Sequence, residues 1–359
     1  MREIKPLGRI RIRADEEEVE RFFSRLDREA ENLPGFSIRF GHHVLLLRFP
    51  DEETVRKYRV FLDLVCTGQE KDPDGIITIR KGEIRDYLNI DPSSEKAACW
   101  EYTGESGSIR YLKWPDRITA SHTRSNQQTI LMSGPFEEYA PPQAPFHWEF
   151  HQFSMLHRYA FLHSGAVGLN GEGVLISSVG GSGKSTTALS CLLDGFDFVS
   201  DDYLILDPVC SSAYPLYKSG ILNADSLQHL PELESCTAGC VLRRPDRSIL
   251  DLSAYRNQFC CGMRIKAIVH PRILPPGEAG EARIRKDPLQ AGKTQMLLSS
   301  VRQNGFDLMK DPSVLHTLSA AVSALPSYEL LLSPDRQSNC RALRNLVQDL
   351  SERKPEKEE

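Results

Sequence analysis

The chain has no long apolar run. Nothing in it approaches the roughly 20 apolar residues that a membrane-spanning helix needs. Its first stretch, MREIKPLGRIRIRADEEE, lacks the apolar core of a secretory signal. These absences predict no membrane partner and a cytoplasmic location. Basic charge is not in excess either. The formal net charge is −5, which offers nucleic acid or an anionic membrane no electrostatic hold. Cysteine pairing motifs are missing as well. Nine cysteines are present, but none forms a C-x-x-C pair, and an odd number argues against a closed disulfide framework. Cys236 and Cys240 have a zinc-compatible spacing without a second pair nearby, so reduced thiols are expected. His147 and His151 stand one turn apart, but the acid between them is Glu149, so the metalloprotease order H-E-x-x-H is not met. Both are expected to be packed histidines of a helix.

What the chain does have is one dense segment, GVLISSVGGSGKSTTALSCLLDGFDFVSDDYLIL, residues 173–206. Residues 173–177 form a short apolar run that suits a buried strand. Gly180, Gly181 and Gly183 then crowd one turn around Ser182. Lys184, Ser185 and Thr186 open a helical stretch to about Asp194, and Gly195 supplies a stop. Residues 196–199 rise as a second strand and end on Asp201 and Asp202. This is the layout of a phosphate-binding loop with a metal-handling acid. Glycines let the backbone approach a polyphosphate, successive N–H groups make an anion nest, and the helix N-terminus adds partial positive charge. Lys184, placed on a solvent-facing loop, is the expected cation for terminal phosphates, and Ser185 the expected hydroxyl on Mg²⁺. The pattern G-x-x-x-x-G-K-[ST] is met except at its first glycine, where Ser178 stands.

Around this segment the chain predicts two domains. Residues 1–140 read as a smaller α+β domain. They hold an amphipathic helix at 15–33 with Val19, Phe22, Phe23 and Leu26 on one face, a strand over 36–49, a helix over 51–65, and short strands from 75 to 135. The proline-rich run 137–145 marks a boundary. Residues 146–350 read as an α/β nucleotide-binding domain. It starts with a buried aromatic helix over 146–161 that leaves His163 at its end. Further on come a strand at 265–269, helices at 289–301 and 314–325, a strand at 328–332 and a closing helix at 339–350. Residues 351–359 are a charged tail expected to be disordered.

Three features coincide: Leu162-His163-Ser164-Gly165-Ala166-Val167 before the first strand, the loop ending Gly183-Lys184-Ser185, and Phe198-Val199-Ser200-Asp201-Asp202 soon after it. Together they resemble the catalytic domain of HPr kinase/phosphorylase, a bacterial protein-serine kinase of the phosphoenolpyruvate-carboxykinase fold. The likeness is strong over about 162–207. It is weaker at Ile268-Val269-His270-Pro271-Arg272 and Pro326-Ser327-Tyr328-Glu329-Leu330, which look more like divergent relatives in peptide and natural-product gene clusters. The family's signature E-[IL]-R-G-x-G is absent; Gly220-Ile221-Leu222-Asn223 is a faint echo of its tail. That absence points away from HPr itself as substrate.

The resemblance implies a P-loop kinase that uses ATP and Mg²⁺ to phosphorylate a serine of a small protein or precursor peptide, with a possible homo-oligomeric assembly. It makes Asp201 the base for the acceptor hydroxyl. Two adjacent carboxylates repel, so one should be metal-bound and the other free to titrate upward; this puts Asp202 with Ser185 on the metal, though the roles are exchangeable. His163 is expected to orient the acid pair or contact phosphate, with a core histidine bonded to backbone as the other reading, and Arg272 to clamp a phosphate or the acceptor, against the commoner outcome of a surface salt bridge. Lys218, Arg243 and Arg244 suggest a basic loop where an acidic peptide docks. Two other readings stay open: a nucleotide-binding regulatory or ATPase module without an acceptor, and a small-molecule kinase.

Overall fold

The computed structural model describes residues 16–67, 72–82, 100–103, 109–114, 117–122, 125–132, 144–177, 181–237, 247–275, 280–304 and 312–352. The chain divides into two compact units: Met1–Val60 with Cys66–Leu156, and Phe61–Val65 with His157–Glu359.

The first unit is α+β. Helix α1 (Glu16–Ala30) precedes strands β1 (Gly35–Phe40) and β2 (His43–Arg48), helix α2 (Glu52–Leu62) and strands β3 (Cys66–Thr67) and β4 (Gly75–Lys81). Strands β5 (Trp100–Thr103), β6 (Ile109–Trp114), β7 (Arg117–His122) and β8 (Gln127–Met132) and helix α3 (His147–Leu156) follow. The strand expected over 36–49 is a hairpin, because Gly41 takes a left-handed φ of 59° and turns the chain back. Helix α2 starts where expected because Asp51 caps it, accepting from the Thr54 N–H at 2.8 Å. The eight strands run in the order β3-β1-β2-β4-β8-β7-β6-β5. Phe40, Phe49, Tyr58, Phe146, Phe150 and Phe153 form an aromatic core. The aromatic helix therefore packs with the first unit, and the division falls after Leu156 rather than near 140. The helix is also shorter than expected. Arg158 takes φ 60° and the chain enters a strand, so His163 ends a strand instead of trailing a helix.

The second unit is mixed α/β. Its strands begin with β9 (Ala160–His163), β10 (Gly165–Leu169) and β11 (Glu172–Ile176). Helix α4 (Lys184–Leu193) leads to β12 (Asp197–Ser200), β13 (Tyr203–Asp207), β14 (Ser212–Pro215) and β15 (Ser219–Asn223). Then come α5 (Ala224–Gln228), β16 (Arg247–Asp251), β17 (Met263–Ile273), β18 (Arg283–Lys286), α6 (Ala291–Asn304), α7 (Pro312–Ser323), β19 (Ser327–Leu332) and α8 (Arg336–Glu352). The main sheet runs β12-β10-β11-β17-β14-β13-β9, and β19 pairs with both β17 and β18. Strands β11, β17 and β19 are mutually parallel in sequence along the sheet. Their carboxyl ends are where an open α/β sheet presents a binding crevice.

One core fixes helix α4 to that sheet. Leu189 and Leu192 of α4, Leu343 and Val347 of α8, and Val174, Ile176, Val269 and Leu330 of the strands are all buried together. Each such side chain contributes about 1.5–3 kcal/mol of transfer free energy. Gly195, at φ 80°, ends the helix where the glycine was expected to. At the far end of the sheet the β10–β11 hairpin closes with Gly168 opposite Gly173. A methyl on Gly173 would lie 2.3 Å from the Val167 carbonyl oxygen and 2.4 Å from Met263 Sδ. We therefore expect Gly173→Ala to destabilise the second unit by about 1–3 kcal/mol, read as a lowered urea midpoint with nucleotide absent. An unchanged midpoint would mean the hairpin is looser than this packing requires.

Candidate active site

The chain leaves β11 through Ser177, whose hydroxyl donates to the Gly292 carbonyl oxygen at 2.9 Å and ties the root of the loop to α6. Gly181 and Gly183 have φ of 88° and 97°, a region that L side chains rarely adopt. Gly183 is the N-cap of α4 and supplies no side-chain cap. The first N–H groups of the helix, from Lys184, Ser185 and Thr186, are thus aligned without the capping oxygen that a serine or aspartate would provide. Ser182, Ser185 and Thr186 are half-buried beside them. Gly180 lies outside the described residues, as do Arg243 and Arg244.

Lys184 does not face solvent, as its place in the sequence suggested. It is 8 % exposed and folds back onto the acid pair. Its Nζ donates to the Asp201 carbonyl oxygen at 2.5 Å and pairs with Asp202 Oδ1 at 3.1 Å. A buried ammonium needs such partners, and a backbone carbonyl and one carboxylate just past β12 supply them.

His163 sits at the end of β9, opposite Tyr203 in the ladder. Its Nε2 lies 2.7 Å from Asp202 Oδ1, its Nδ1 meets the Ser299 hydroxyl, and its backbone N–H donates to Ser300 Oγ at 3.0 Å. Burial, with Lys184 adding to it, lowers the imidazole's affinity for a proton, against the opposing pull of Asp202. The ring is then neutral near pH 7. Because a carboxylate only accepts, Nε2 carries the hydrogen and Nδ1 accepts from Ser299.

The two carboxylates live in different surroundings. Asp201 is 1 % exposed, and its Oδ2 accepts from the Ile221 N–H at 3.2 Å. Burial and the Asp202 charge push its pKa up to about 7, partly offset by Lys184, by that N–H and by the Ser185 hydroxyl. Burial acts to raise Asp202 as well, but Lys184 and His163 outweigh it and hold that carboxyl well below the usual range. The expected divergence of the pair is present. The contacts divide differently from the sequence assignment, however. The Ser185 hydroxyl belongs with Asp201, whereas Asp202 belongs with Lys184 and His163.

The remaining candidates separate. Arg272, near the end of β17, is more than half exposed and donates to Glu329 Oε1 at 3.3 Å. It lies at the loop end of the sheet, since its neighbour in register is Leu331. Lys218 is buried and pairs with Asp63 at 2.9 Å, so it presents no charge to a docking peptide. Sequence reasoning missed Ser299, Ser300 and Ile221. One signal was available: Ser300, fully buried, falls four residues after the buried Met296, on the stripe α6 turns inward.

The site fits a polyphosphate with a hard divalent cation. The helix N-terminus offers aligned donors, Lys184 a cation, and Ser185 with the two carboxylates the oxygen ligands that Mg²⁺ prefers. The raised Asp201 marks negative charge that the protein alone does not balance.

No protein-family model and no curated protein matches this chain. Among solved structures it is similar to the Hpr(Ser) kinase/phosphatase from Coxiella burnetii, with 11 % identity, a TM-score of 0.28, and coverage of 53 % of this chain and 98 % of that one. At that score the likeness carries no chemistry, which rests on the residues. Among the described residues, no helix is long and apolar enough to cross a membrane.

The acid pair has a pH signature. Asp201 ionises at about 7 in the folded protein against an ordinary 3.8. A raised carboxyl holds its proton longer folded than unfolded, so stability falls as pH rises from about 4 to 7 and then levels. Asp201→Asn should remove that fall. We expect the ligand-free variant to melt above the native protein at pH 8 and close to it at pH 4. A variant that melts lower at pH 8 would show that the Asp201 charge is balanced after all.

Proposed function

We propose that this chain is an ATP-dependent phosphotransferase of the P-loop kinase type, using Mg²⁺ and acting on a serine hydroxyl of a small protein or peptide. The carrying observation is the convergence of Lys184, Ser185, Asp201, Asp202 and His163 at an uncapped helix N-terminus. A simple anion-binding loop has no need of two adjacent carboxylates, one buried and the other half-buried and ordered by a neutral histidine.

The N–H groups from Gly181 to Thr186 hold phosphate oxygens. Lys184 transfers its charge from Asp202 to a terminal phosphate. Ser185 and Asp201, whose side chains are neighbours, are the pair to hold the metal, which exchanges the two acid roles expected from the sequence. Asp202, more exposed than Asp201 at 23 % of its side chain, is left to accept the proton of the acceptor hydroxyl. His163 keeps its carboxylate aimed. As that proton leaves, the oxygen bonds to the γ-phosphorus and the bond to ADP breaks. Magnesium, when bound with ATP, supplies charge neutralisation on the transferring group.

Three variants test this. Lys184→Ala should weaken MgATP binding or turnover by about tenfold or more, a loss of about 1.4 kcal/mol. Because it also leaves the Asp202 carboxylate without its ammonium partner, its fold is checked by circular dichroism against Lys184→Ala combined with Asp202→Asn. Asp202→Asn should keep MgATP binding in calorimetry and lose transfer by ~10²–10⁴-fold. Asp201→Asn should lose the Mg²⁺-dependent part of nucleotide affinity. If Asp201→Asn binds MgATP normally while Asp202→Asn does not, the sequence assignment of the two roles is restored. Label from γ-labelled ATP found only as free phosphate, with peptide and small-molecule hydroxyls untouched, would replace transfer by hydrolysis.

A further inference from the structure

We propose that strand β18, with the arginines beside it, is a docking edge for an extended acidic peptide that adds to the sheet as a further strand. The phosphotransferase reading gives this edge its purpose, as the place where an acceptor is held. The binding itself does not depend on that reading.

Strand β18 (Arg283–Lys286) pairs with β19 alone, so among the described residues no strand lies beyond it. In an antiparallel ladder, alternate residues turn their N–H and C=O groups away from the partner, and here those groups face outward from an edge. The edge is basic: Arg283, Arg285 and Lys286 are exposed. Register strengthens this. Strand β17 places His270 opposite Glu329 and Arg272 opposite Leu331, while β18 places Arg285 opposite Glu329 and Arg283 opposite Leu331. Arg272, Arg283 and Arg285 therefore share one face of the sheet with Glu329. Glu329 accepts from Arg272 and from Arg285, whose side chains remain 54 % and 59 % exposed. Three guanidinium groups against Glu329, with Asp287 on the same face already engaged by Ser327, Gly292 and His270, leave a positive surplus that an acidic strand would balance.

Self-pairing of this edge is disfavoured, because a second β18 would bring basic side chains against basic side chains. That argues against another copy of the chain as the occupant. The strand next to this edge reaches the loop, on the face opposite the arginines. Leu332, one residue beyond Leu331 on β19, lies close enough to Gly183 that a methyl there would sit 3.0 Å from Leu332 Cδ1. Side chains alternate along a strand, so the geometry selects acids at every second position of the peptide, facing the arginines.

The probe is a fluorescein-labelled octapeptide of alternating glutamate and valine with one serine, compared with its lysine counterpart by anisotropy, without nucleotide. We expect the glutamate probe to bind, more weakly at high salt, and the lysine probe not to bind. N-methylation of alternate backbone amides in the glutamate probe should abolish binding. Arg283→Glu should weaken it by about tenfold while the MgATP dissociation constant stays within about twofold. Should Arg283→Glu fail to fold, Lys286→Glu serves instead. Equal binding of both probes, indifference to N-methylation, or full binding by the folded charge-reversed variant would each overturn the proposal. A probe that binds as described but takes no phosphate from MgATP leaves the docking edge standing and counts against the transfer reading.

Discussion

The contact between Lys184 and the acid pair is the constraint on which the second unit's chemistry turns. It joins the first residue of α4 to the end of β12, two elements separated by the length of a helix. It also neutralises most of the charge that burial would otherwise make costly. Removing one member leaves an unbalanced ion in a dry setting, which is why each partner is more demanding of the others than an exposed ion pair would be.

Every other feature of the site serves to hold that contact in place. Helix α6 reaches across to β9 through Ser299 and Ser300 and fixes His163, which in turn fixes Asp202. Strand β15 brings the Ile221 N–H to Asp201 and rides close on α4, where Gly220 leaves only van der Waals room for Leu189. Ser177 pins the root of the loop to Gly292. These are short polar contacts within well-packed apolar surroundings, and sites built this way lose precision before they lose stability when a supporting residue is changed.

The loop, its helix and the acids were legible in the sequence because the residues that determine them are close neighbours along the chain. Glycines that need positive φ, a lysine that opens a helix and a strand that ends on two aspartates leave little freedom to the backbone. Helix α8 and strands β17 and β19 were equally plain from their apolar patterns. What could not be read was pairing across distance. Ser299 meets His163 from 136 positions away, and no local pattern announces it. The distribution of contacts between Asp201 and Asp202 was hidden for the same reason, since nothing local says which carboxylate lies by Ser185 and which meets His163. Arg272 stayed open between a clamp and a surface salt bridge because the position of Glu329 on the neighbouring strand is not visible in one dimension. The hairpin at Gly41 was missed because an alternating apolar run continues across the turn.

The folded-back lysine has a consequence for selectivity. In the resting protein the site carries its own counterion, so an entering anion must displace an internal partner before it gains anything. An anion arriving alone would free Lys184 only to face two uncovered carboxylates, one of which already resists ionisation. An anion that arrives with its own divalent cation settles both debts at once: lysine moves to the anion while the cation takes up the acids. On the proposed phosphotransferase reading, the arrangement would discriminate by stoichiometry of charge and admit the ion and its metal as one neutralised guest in preference to either component separately.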